Sequence, residues 1–279
     1  MPSLKNAEKK NKDLTAKKPK RNYLYLNIMK HLLVSLCLLL SPPQDISAKP
    51  PKQTKSTIIL KFTNKVKDQN LILNDSLHLY YNANGDDFYI TSFKYYISNI
   101  ILTKSKGDTV HLKDTYFLIN AADSASLTQQ LTNVPTGKYK AIAFTIGVDS
   151  LRNFAGAQTG CLDPNKGMFW TWKSGYIFVK MEGVSSKSSS KKNRLVFHIG
   201  GAIAPENTIR EFSQSLPYKL KAKDGNATEI DIAVDVASLF QGKTTVKFSE
   251  LSFTMGGPKS VIIANNYATG LFSVTGLKK

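Results

Sequence analysis

The chain has 279 residues and a formal net charge of +18, with 38 basic and 20 acidic side chains. A chain of this length can hold one large domain or two ordinary ones, so length alone leaves the number of domains open. Residues 1–48 carry +6 of the charge, and the +12 of the remainder brings nucleic acid or an anionic membrane surface into consideration. The lysines of that remainder are scattered and no nucleic-acid-binding motif accompanies them, so the sequence predicts no nucleic-acid partner.

The N-terminal segment has the pattern of an export signal behind a basic arm. Residues 1–28 are rich in lysine and poor in apolar side chains, which predicts disorder. Residues 29–48 join a basic flank to the mostly apolar run 32–40 and end at Ala48, which predicts a secretory signal peptide. The run is far shorter than the roughly 20 apolar residues of a membrane span. We therefore expect a protein of the periplasm or cell envelope with no stable membrane span after cleavage.

The start of the chain leaves three readings open. Met29 would be an ordinary start for a signal peptide, so residues 1–28 follow either from a mis-called start codon or from an extended leader. A lipid anchor at Cys37 is the third reading, although Leu36 precedes that cysteine where a small residue is usual. Residues 49–55 are expected to be a linker to the folded domain.

From residue 56 the sequence predicts a single all-β domain that extends to residue 279. Short apolar runs with β-branched residues alternate with turn residues, which favours an antiparallel β-sandwich with Greek-key-like connections. Val234–Phe240, with an early aspartate and Gly242 behind it, predicts one short helix near 234–241. The serine- and lysine-rich run 185–194 predicts a solvated hairpin loop. The strand-like runs are 56–63, 88–97, 99–103, 115–120, 138–148, 175–182, 194–200, 229–234 and 246–254.

No catalytic pattern is visible, so the sequence predicts a protein that is not an enzyme. The serine-nucleophile elbow, the phosphate loop, the His-Glu-x-x-His motif and paired zinc-binding cysteines are all missing. Behind the signal, Cys161 is the single cysteine, which we interpret as a packing residue. Asp149 and Asp163 fit loop capping better than acid–base catalysis.

The stretch 144–176 is the most unusual part of the chain. It holds both tryptophans, Trp170 and Trp172, which are two residues apart and would share a face of an extended segment. Long irregular loops often carry function, which favours a binding role for the glycine-rich part 150–167. The alternative is that the two tryptophans pack over an open end of the sandwich.

The same stretch resembles the signature of MbnP-like proteins, a family named for a methanobactin-associated periplasmic copper-binding protein. Further similarities are the runs 93–100, 197–201 and 262–267, so the resemblance covers roughly residues 56–275. The motif positions that carry it include Gly147, Asp149, Arg152, Asn153, Asp163, Gly167, Tyr176 and the pair Trp170 and Trp172.

The resemblance implies a β-rich periplasmic fold, bound copper and an oxidised tryptophan. In characterised members a di-haem partner of the MauG type, related to cytochrome c peroxidases, converts a tryptophan to kynurenine, whose amine and carbonyl lie near the metal. Carried over to this chain, Trp170 and Trp172 are the candidates for oxidation, His198 is the expected copper ligand and Met168 a possible thioether ligand.

The chain departs from this pattern because it is poor in histidine. No histidine follows the first strand at Phe62–Asn64, and none follows Phe272–Val274. The alternative function is an envelope binding or structural module without metal, in which Trp170, Trp172 and Tyr176 form an aromatic platform.

Overall fold

The structure is a computed structural model that describes residues 54–278. The expected basic arm, the signal peptide, Cys37 and nearly all of the expected linker lie outside the described residues. Within them, two large sheets and one small hairpin carry almost all of the regular structure. The five-stranded sheet contains β1 (Lys55–Val66), β2 (Gln69–Asn70), β6 (Thr128–Pro135), β13 (Ala227–Asp235) and β15 (Phe272–Lys278).

The larger sheet has eight strands in the described part of the chain, and the small hairpin has two. The hairpin is formed by β8 (Phe169–Thr171) and β9 (Gly175–Tyr176). The larger sheet contains β3 (Tyr80–Tyr81), β4 (Asp87–Lys104), β5 (Thr109–Asn120), β7 (Gly137–Ile146), β10 (Val179–Val184), β11 (Arg194–Ile199), β12 (Arg210–Ala222) and β14 (Phe253–Met255).

The two large sheets face each other across one main hydrophobic core. In β1 the side chains of Ile58, Leu60 and Phe62 alternate inward, as period-two patterning requires. Phe272 of β15 crosses the core, with its ring centre 5.5 Å from that of Tyr95 and 5.0 Å from that of Phe144. The prediction of an all-β sandwich is therefore confirmed.

The sandwich is mixed and not purely antiparallel. β1 pairs in parallel with β13, and β11 pairs in parallel with β14, whereas the other pairs of named strands are antiparallel. A parallel neighbour has to come from a distant part of the chain, because it needs a crossover connection. This long-range pairing cannot be read from local patterns.

The runs 88–97 and 99–103 form one continuous strand, β4, with an irregularity at Asn99. The backbone of Asn99 has φ of 52°, a left-handed conformation that asparagine tolerates better than most residues. The register of β4 against both β5 and β7 shifts at this point. The resulting bulge turns the side chain of Asn99 towards the stretch 147–178, the candidate functional stretch described below.

The helix predicted near 234–241 is wrong in extent. β13 continues to Asp235, whose carboxylate caps only a single 3₁₀ turn at Val236–Leu239. The longer helix is α2 (Gly257–Gly270), which the sequence analysis did not predict. A one-turn helix, α1 (Ser150–Asn153), opens the functional stretch. Among residues 54–278, no helix has the length and apolar character needed to cross a bilayer.

The remaining differences concern the strands. β2, β3, β6, β8, β12 and β15 were not predicted, and β12 contains Pro217 and a register shift between Ser215 and Leu220. The expected strand 246–254 is mostly irregular and contributes only β14 at its end. The run 185–194 does form the predicted hairpin loop, between the paired strands β10 and β11.

Candidate functional site

The stretch 147–178 covers the outer face of the eight-stranded sheet and builds a second hydrophobic core there. Tyr96 of β4 points outward into this second core, whereas its neighbour Tyr95 points into the main core. The buried members are Tyr96, Val148, Leu162, Met168, Tyr176, Ile177, Phe178 and Ala202. The glycines of this stretch therefore belong to a packed layer and not to a solvated loop.

Asp149 anchors the beginning of this layer. Its carboxylate accepts a hydrogen bond from the backbone N–H of Arg152 at 3.2 Å, which caps α1, and another from Asn99 Nδ2 at 3.1 Å. The Tyr116 hydroxyl donates a third, short bond. Burial opposes ionisation of Asp149, but these hydrogen bonds outweigh it and lower the pKa of the carboxyl group. The capping role expected from the sequence is confirmed.

Arg152 ties the layer to β5. Its guanidinium group pairs with Asp114 Oδ1 at 3.0 Å and lies 5.9 Å from the centre of the Tyr116 ring. The Arg152 carbonyl accepts a hydrogen bond from Gln158 Nε2 at 2.8 Å. The guanidinium group is thus occupied by structural partners.

Asn153 holds the β8–β9 hairpin in place through its side-chain amide. Its Oδ1 accepts the backbone N–H of Tyr176 at 2.8 Å. A Cβ on Gly175 would collide with the Asn153 amide, so only glycine fits there. The Tyr176 hydroxyl in turn donates to the Leu162 carbonyl at 2.7 Å. Tyr176 cannot contribute to the expected aromatic platform, because its side chain is buried in the second core.

Asp163 and Gly167 shape the turn that leads to the tryptophans. The Asp163 side chain accepts the backbone N–H of Asn165 at 2.8 Å and caps a 3₁₀ turn, Pro164–Lys166. Gly167 ends that turn in the left-handed region, with φ of 72°. Both residues position the chain for β8 and offer no arrangement for chemistry.

His198 lies on the outer face of β11, next to a carboxylate on β10. Its Nε2 is 2.7 Å from Glu182 Oε1, and Lys180 Nζ is 3.4 Å from the same oxygen. The residue is only 7% exposed. Burial lowers the pKa of His198 more than the hydrogen bond that its Nε2 donates to Glu182 raises it, so the neutral ring is favoured.

The tautomer of His198 follows from its partner. Burial opposes ionisation of Glu182, but hydrogen bonds to His198 and Lys180 outweigh it and lower the pKa of the carboxyl group. An ionised carboxylate only accepts hydrogen bonds, so Nε2 carries the hydrogen and Nδ1 keeps a free lone pair. Nδ1 is buried and has no hydrogen-bond partner among residues 54–278.

The two methionines near the motif have different surroundings. Met168 is fully buried in the second core, where it packs with aromatic side chains. Met255 stands opposite His198 in the parallel register of β14 with β11, on the same face of the sheet, and is 50% exposed. Met255 is therefore the thioether that the fold places beside His198, and the sequence analysis missed it because the pairing joins distant segments.

The two tryptophans do not share an extended segment. Trp170 lies in β8 and packs over Gly200, where an added Cβ would be 2.8 Å from Trp170 Cζ3. Trp172 falls in the turn after β8, packs on Gly156 and is 68% exposed. The indole N–H of Trp170 is buried and has no partner within the described residues.

Beside Trp170 is an open groove of about 460 Å³. Phe154, Ile203 and Met255 are partly exposed apolar residues along it. Its other lining residues are Trp170, Lys173, Ser174, Gly200, Gly201, Ala202, Glu206, Gly256 and Gly257. Gly201, Gly256 and Gly257 bring partly exposed backbone to the groove, and His198 lies two residues before the buried Gly200.

The donor set around His198 is small. Among residues 54–278, no three or more histidine, cysteine, aspartate and glutamate side chains gather into a potential metal site. A metal ion at His198 would thus depend on the free Nδ1, on the neighbouring thioether of Met255 and on donors that Trp170 does not offer in its unmodified form.

Comparisons with known proteins agree with this architecture. The structure is similar to that of MbnP from Methylosinus trichosporium, with a TM-score of 0.51 and 15% sequence identity, over 80% of this chain and 98% of that one. A comparison with curated proteins finds no significant match. The sequence profile of the MbnP family matches residues 55–258, which is most of the chain. The chain therefore belongs to the MbnP family.

Proposed function

We propose that this chain is an exported copper-binding protein whose metal site is centred on His198. The proposal rests on the free, buried Nδ1 of that residue. Ligand histidines in metal sites usually donate their other ring N–H to a carboxylate, which fixes the tautomer and the ring orientation. Glu182 holds His198 in this arrangement, at 2.7 Å. An unpaired ring nitrogen that is buried otherwise costs stability, so a bound ligand at this atom would remove a penalty.

The neighbouring donor favours the reduced ion. Imidazole binds either oxidation state of copper, whereas a thioether favours Cu(I). Met255 lies across from His198 in the register of β14 and β11. We therefore propose His198 Nδ1 and the Met255 sulfur as the ligands that this chain supplies in its unmodified form, with Met168 as a core residue.

Trp170 is the tryptophan that we propose as the site of oxidation. It packs over Gly200, close to His198 along β11, and its indole N–H is buried without a partner. Conversion to kynurenine by a di-haem partner of the MauG type would add an amine and a carbonyl where further donors are needed. Trp172, which is exposed on Gly156, would then contribute to the surface that the partner meets.

The ligand assignment can be tested by Cu(I) titration in competition with a chromophoric chelator. We expect His198→Ala to abolish binding and Glu182→Gln to weaken it by about 10- to 100-fold. Met255→Leu should weaken binding, whereas Met168→Leu is the matched control and should leave it unchanged. Full copper binding by the His198→Ala protein would contradict the proposal.

The oxidation can be tested by peptide mass spectrometry of protein purified from its native envelope. We expect an oxidative mass change on Trp170, and its loss in Trp170→Phe but not in Trp172→Phe. An unmodified Trp170 in copper-loaded protein would exclude a role for its oxidation.

A second candidate function is an envelope binding module without metal. The exposed apolar side chains of Phe154, Trp172 and Ile203 near the groove favour it, because such residues in one region often form interaction surfaces. Metal-free, unmodified native protein would support this alternative.

A further inference from the structure

Six lysines that are scattered in the sequence lie at one end of the folded sandwich. At this end lie the start of β1, the β4–β5 turn, the start of β7 and the end of β12. Lys138 pairs in register with Lys221, and its carbonyl accepts the backbone N–H of Ser105 at 2.8 Å. We call this surface the lysine end and define it by six exposed residues: Lys55, Lys106, Lys138, Lys219, Lys221 and Lys223.

The lysine end has little compensating negative charge. Asp224 contacts the backbone N–H of Lys55 at 3.3 Å, and Asp108 lies in the β4–β5 turn. No ion pair involving the six lysines occurs within residues 54–278, whereas Lys278 nearby is paired with Glu229 and Asp231. The six ammonium groups are therefore free for an external anionic partner.

An apolar and aromatic element accompanies the charge. A groove of about 550 Å³ runs between the end of β12 and the end of β15, and Lys219, Lys221 and Lys223 line it. Tyr218 borders the same groove and is 59% exposed, with its hydroxyl bound to the Leu277 carbonyl at 2.6 Å. Lysines beside a surface tyrosine are the composition that proteins use at a lipid headgroup layer.

We propose that the lysine end binds the surface of a membrane that contains anionic phospholipids. The chain also enters the described domain at this end, because Thr54 O accepts the backbone N–H of Thr136 at 3.1 Å. An anionic lipid surface attracts such a cluster without a shaped pocket. The inference goes beyond copper binding and does not depend on it.

The chain supplies a matched control at its other end. β4 is 18 residues long, so its two ends are up to about 55 Å apart. At the end remote from Lys104, the backbone N–H of Ser186 binds Asp87 Oδ2 at 3.1 Å. The hairpin loop there carries Lys187, Lys191 and Lys192, which are equally exposed.

The first test is amine-reactive footprinting of the full chain with and without vesicles. With phosphatidylglycerol-containing vesicles, acetylation of the lysine end should slow by at least about threefold, while Lys187, Lys191 and Lys192 react as before. Phosphatidylcholine vesicles should protect neither group. Equal protection of both lysine groups, or none at the lysine end, would overturn the proposal, even if residues 1–53 bind the vesicles.

The second test is co-sedimentation of two charge-reversed variants of equal net charge. We expect the K219E/K221E/K223E variant to bind phosphatidylglycerol vesicles at least about tenfold more weakly than the K187E/K191E/K192E variant. Equal binding would overturn the proposal. Duplex DNA is the competitor: if it protects the lysine end as well as vesicles do at the same phosphate concentration, the assignment to a membrane is wrong.

Discussion

Two polar residues of the candidate site, Asp149 and His198, differ in how fully their hydrogen-bonding atoms are paired. Asp149 joins α1 to Asn99 on β4 and Tyr116 on β5, so one carboxylate connects three elements. His198 forms a comparable hydrogen bond to Glu182, but its second ring nitrogen, Nδ1, has no hydrogen-bond partner among residues 54–278. Asp149 therefore stabilises the fold, whereas His198 offers a free lone pair on Nδ1.

Asp149 should make stability depend on pH in the acid range. We expect Asp149→Asn to lower the free energy of unfolding by about 1.5–3 kcal/mol at neutral pH, because bonds to the charge are weakened. The folded pKa lies below the unfolded value of 3.8, so this stabilisation is complete above the unfolded value and is lost as pH falls through the folded one. Urea denaturation of both proteins at pH 7, 5 and 3 measures the difference.

Asp163→Asn is the control for this experiment, because Asp163 also caps a turn but contacts only Asn165 there. We expect it to change stability by less than about 0.5 kcal/mol. A gap between wild type and Asp149→Asn that stays constant from pH 7 to pH 3 would contradict the pKa shift.

The residues of the site were only partly predictable. The glycine and tryptophan pattern of 144–176 pointed to the stretch that covers the outer face of the eight-stranded sheet, and the capping aspartates followed from local turn chemistry. Glu182 and Met255 could not be assigned as neighbours of His198, since they come from two different strands that pair with β11. A single sequence contains no signal for which strands become neighbours.

At the scale of elements, the bulge in β4 couples the sheet to the second core. Asn99 adopts φ of 52° and places its amide 3.1 Å from Asp149. The register of the strand thus shifts where the stretch 147–178 begins to cover its outer face. The bulge at Asn99 thus connects β4 to the second core that packs on its outer face.

The backbone at Asn99 can be tested with two variants that both remove its amide. Alanine has a Cβ that opposes the left-handed conformation, and glycine does not. We expect Asn99→Ala to be about 1 kcal/mol less stable than Asn99→Gly in urea denaturation. An alanine variant as stable as the glycine variant would show that this conformation is not strained.

One of the differences from the sequence analysis has a long-range cause, and another does not. The run 246–254 looks like a strand, but Phe248 donates its backbone N–H to Asp86 and the Val246 carbonyl accepts from Asn82, so side chains replace the ladder. α2 did have a local signal, since its buried residues Ser260, Ile263, Ala264 and Tyr267 follow helical spacing. The strand-rich context concealed it.

At the scale of the whole molecule, the main core depends on β15, the most C-terminal strand of the described residues. Phe272 of β15 packs against Tyr95, Phe144 and Phe212, which belong to three strands of the opposite sheet. The last strand therefore closes the sandwich. The same folding brings scattered lysines together at one end, which composition alone does not reveal.

Phe272→Ala should be among the most damaging single changes. We expect it to lower the free energy of unfolding by about 3–5 kcal/mol, because it removes a buried ring and leaves a cavity. Phe253→Ala, which truncates a half-exposed ring on β14, is the control and should cost less than about 1 kcal/mol. Similar losses in thermal or urea denaturation would contradict the central role of β15.

The parallel pairing of β1 with β13 has a consequence for how the protein comes to fold. The Ser56 hydroxyl bonds to the Asn226 carbonyl 170 residues further along the chain, and the same register continues through the centre of the five-stranded sheet. β1 is synthesised first but stays without this neighbour until almost the whole domain has been made. Contacts of such separation slow folding, because a long loop must close before they form. A nascent chain of this kind therefore remains without its stable form for longer than a chain whose sheet neighbours are adjacent in sequence.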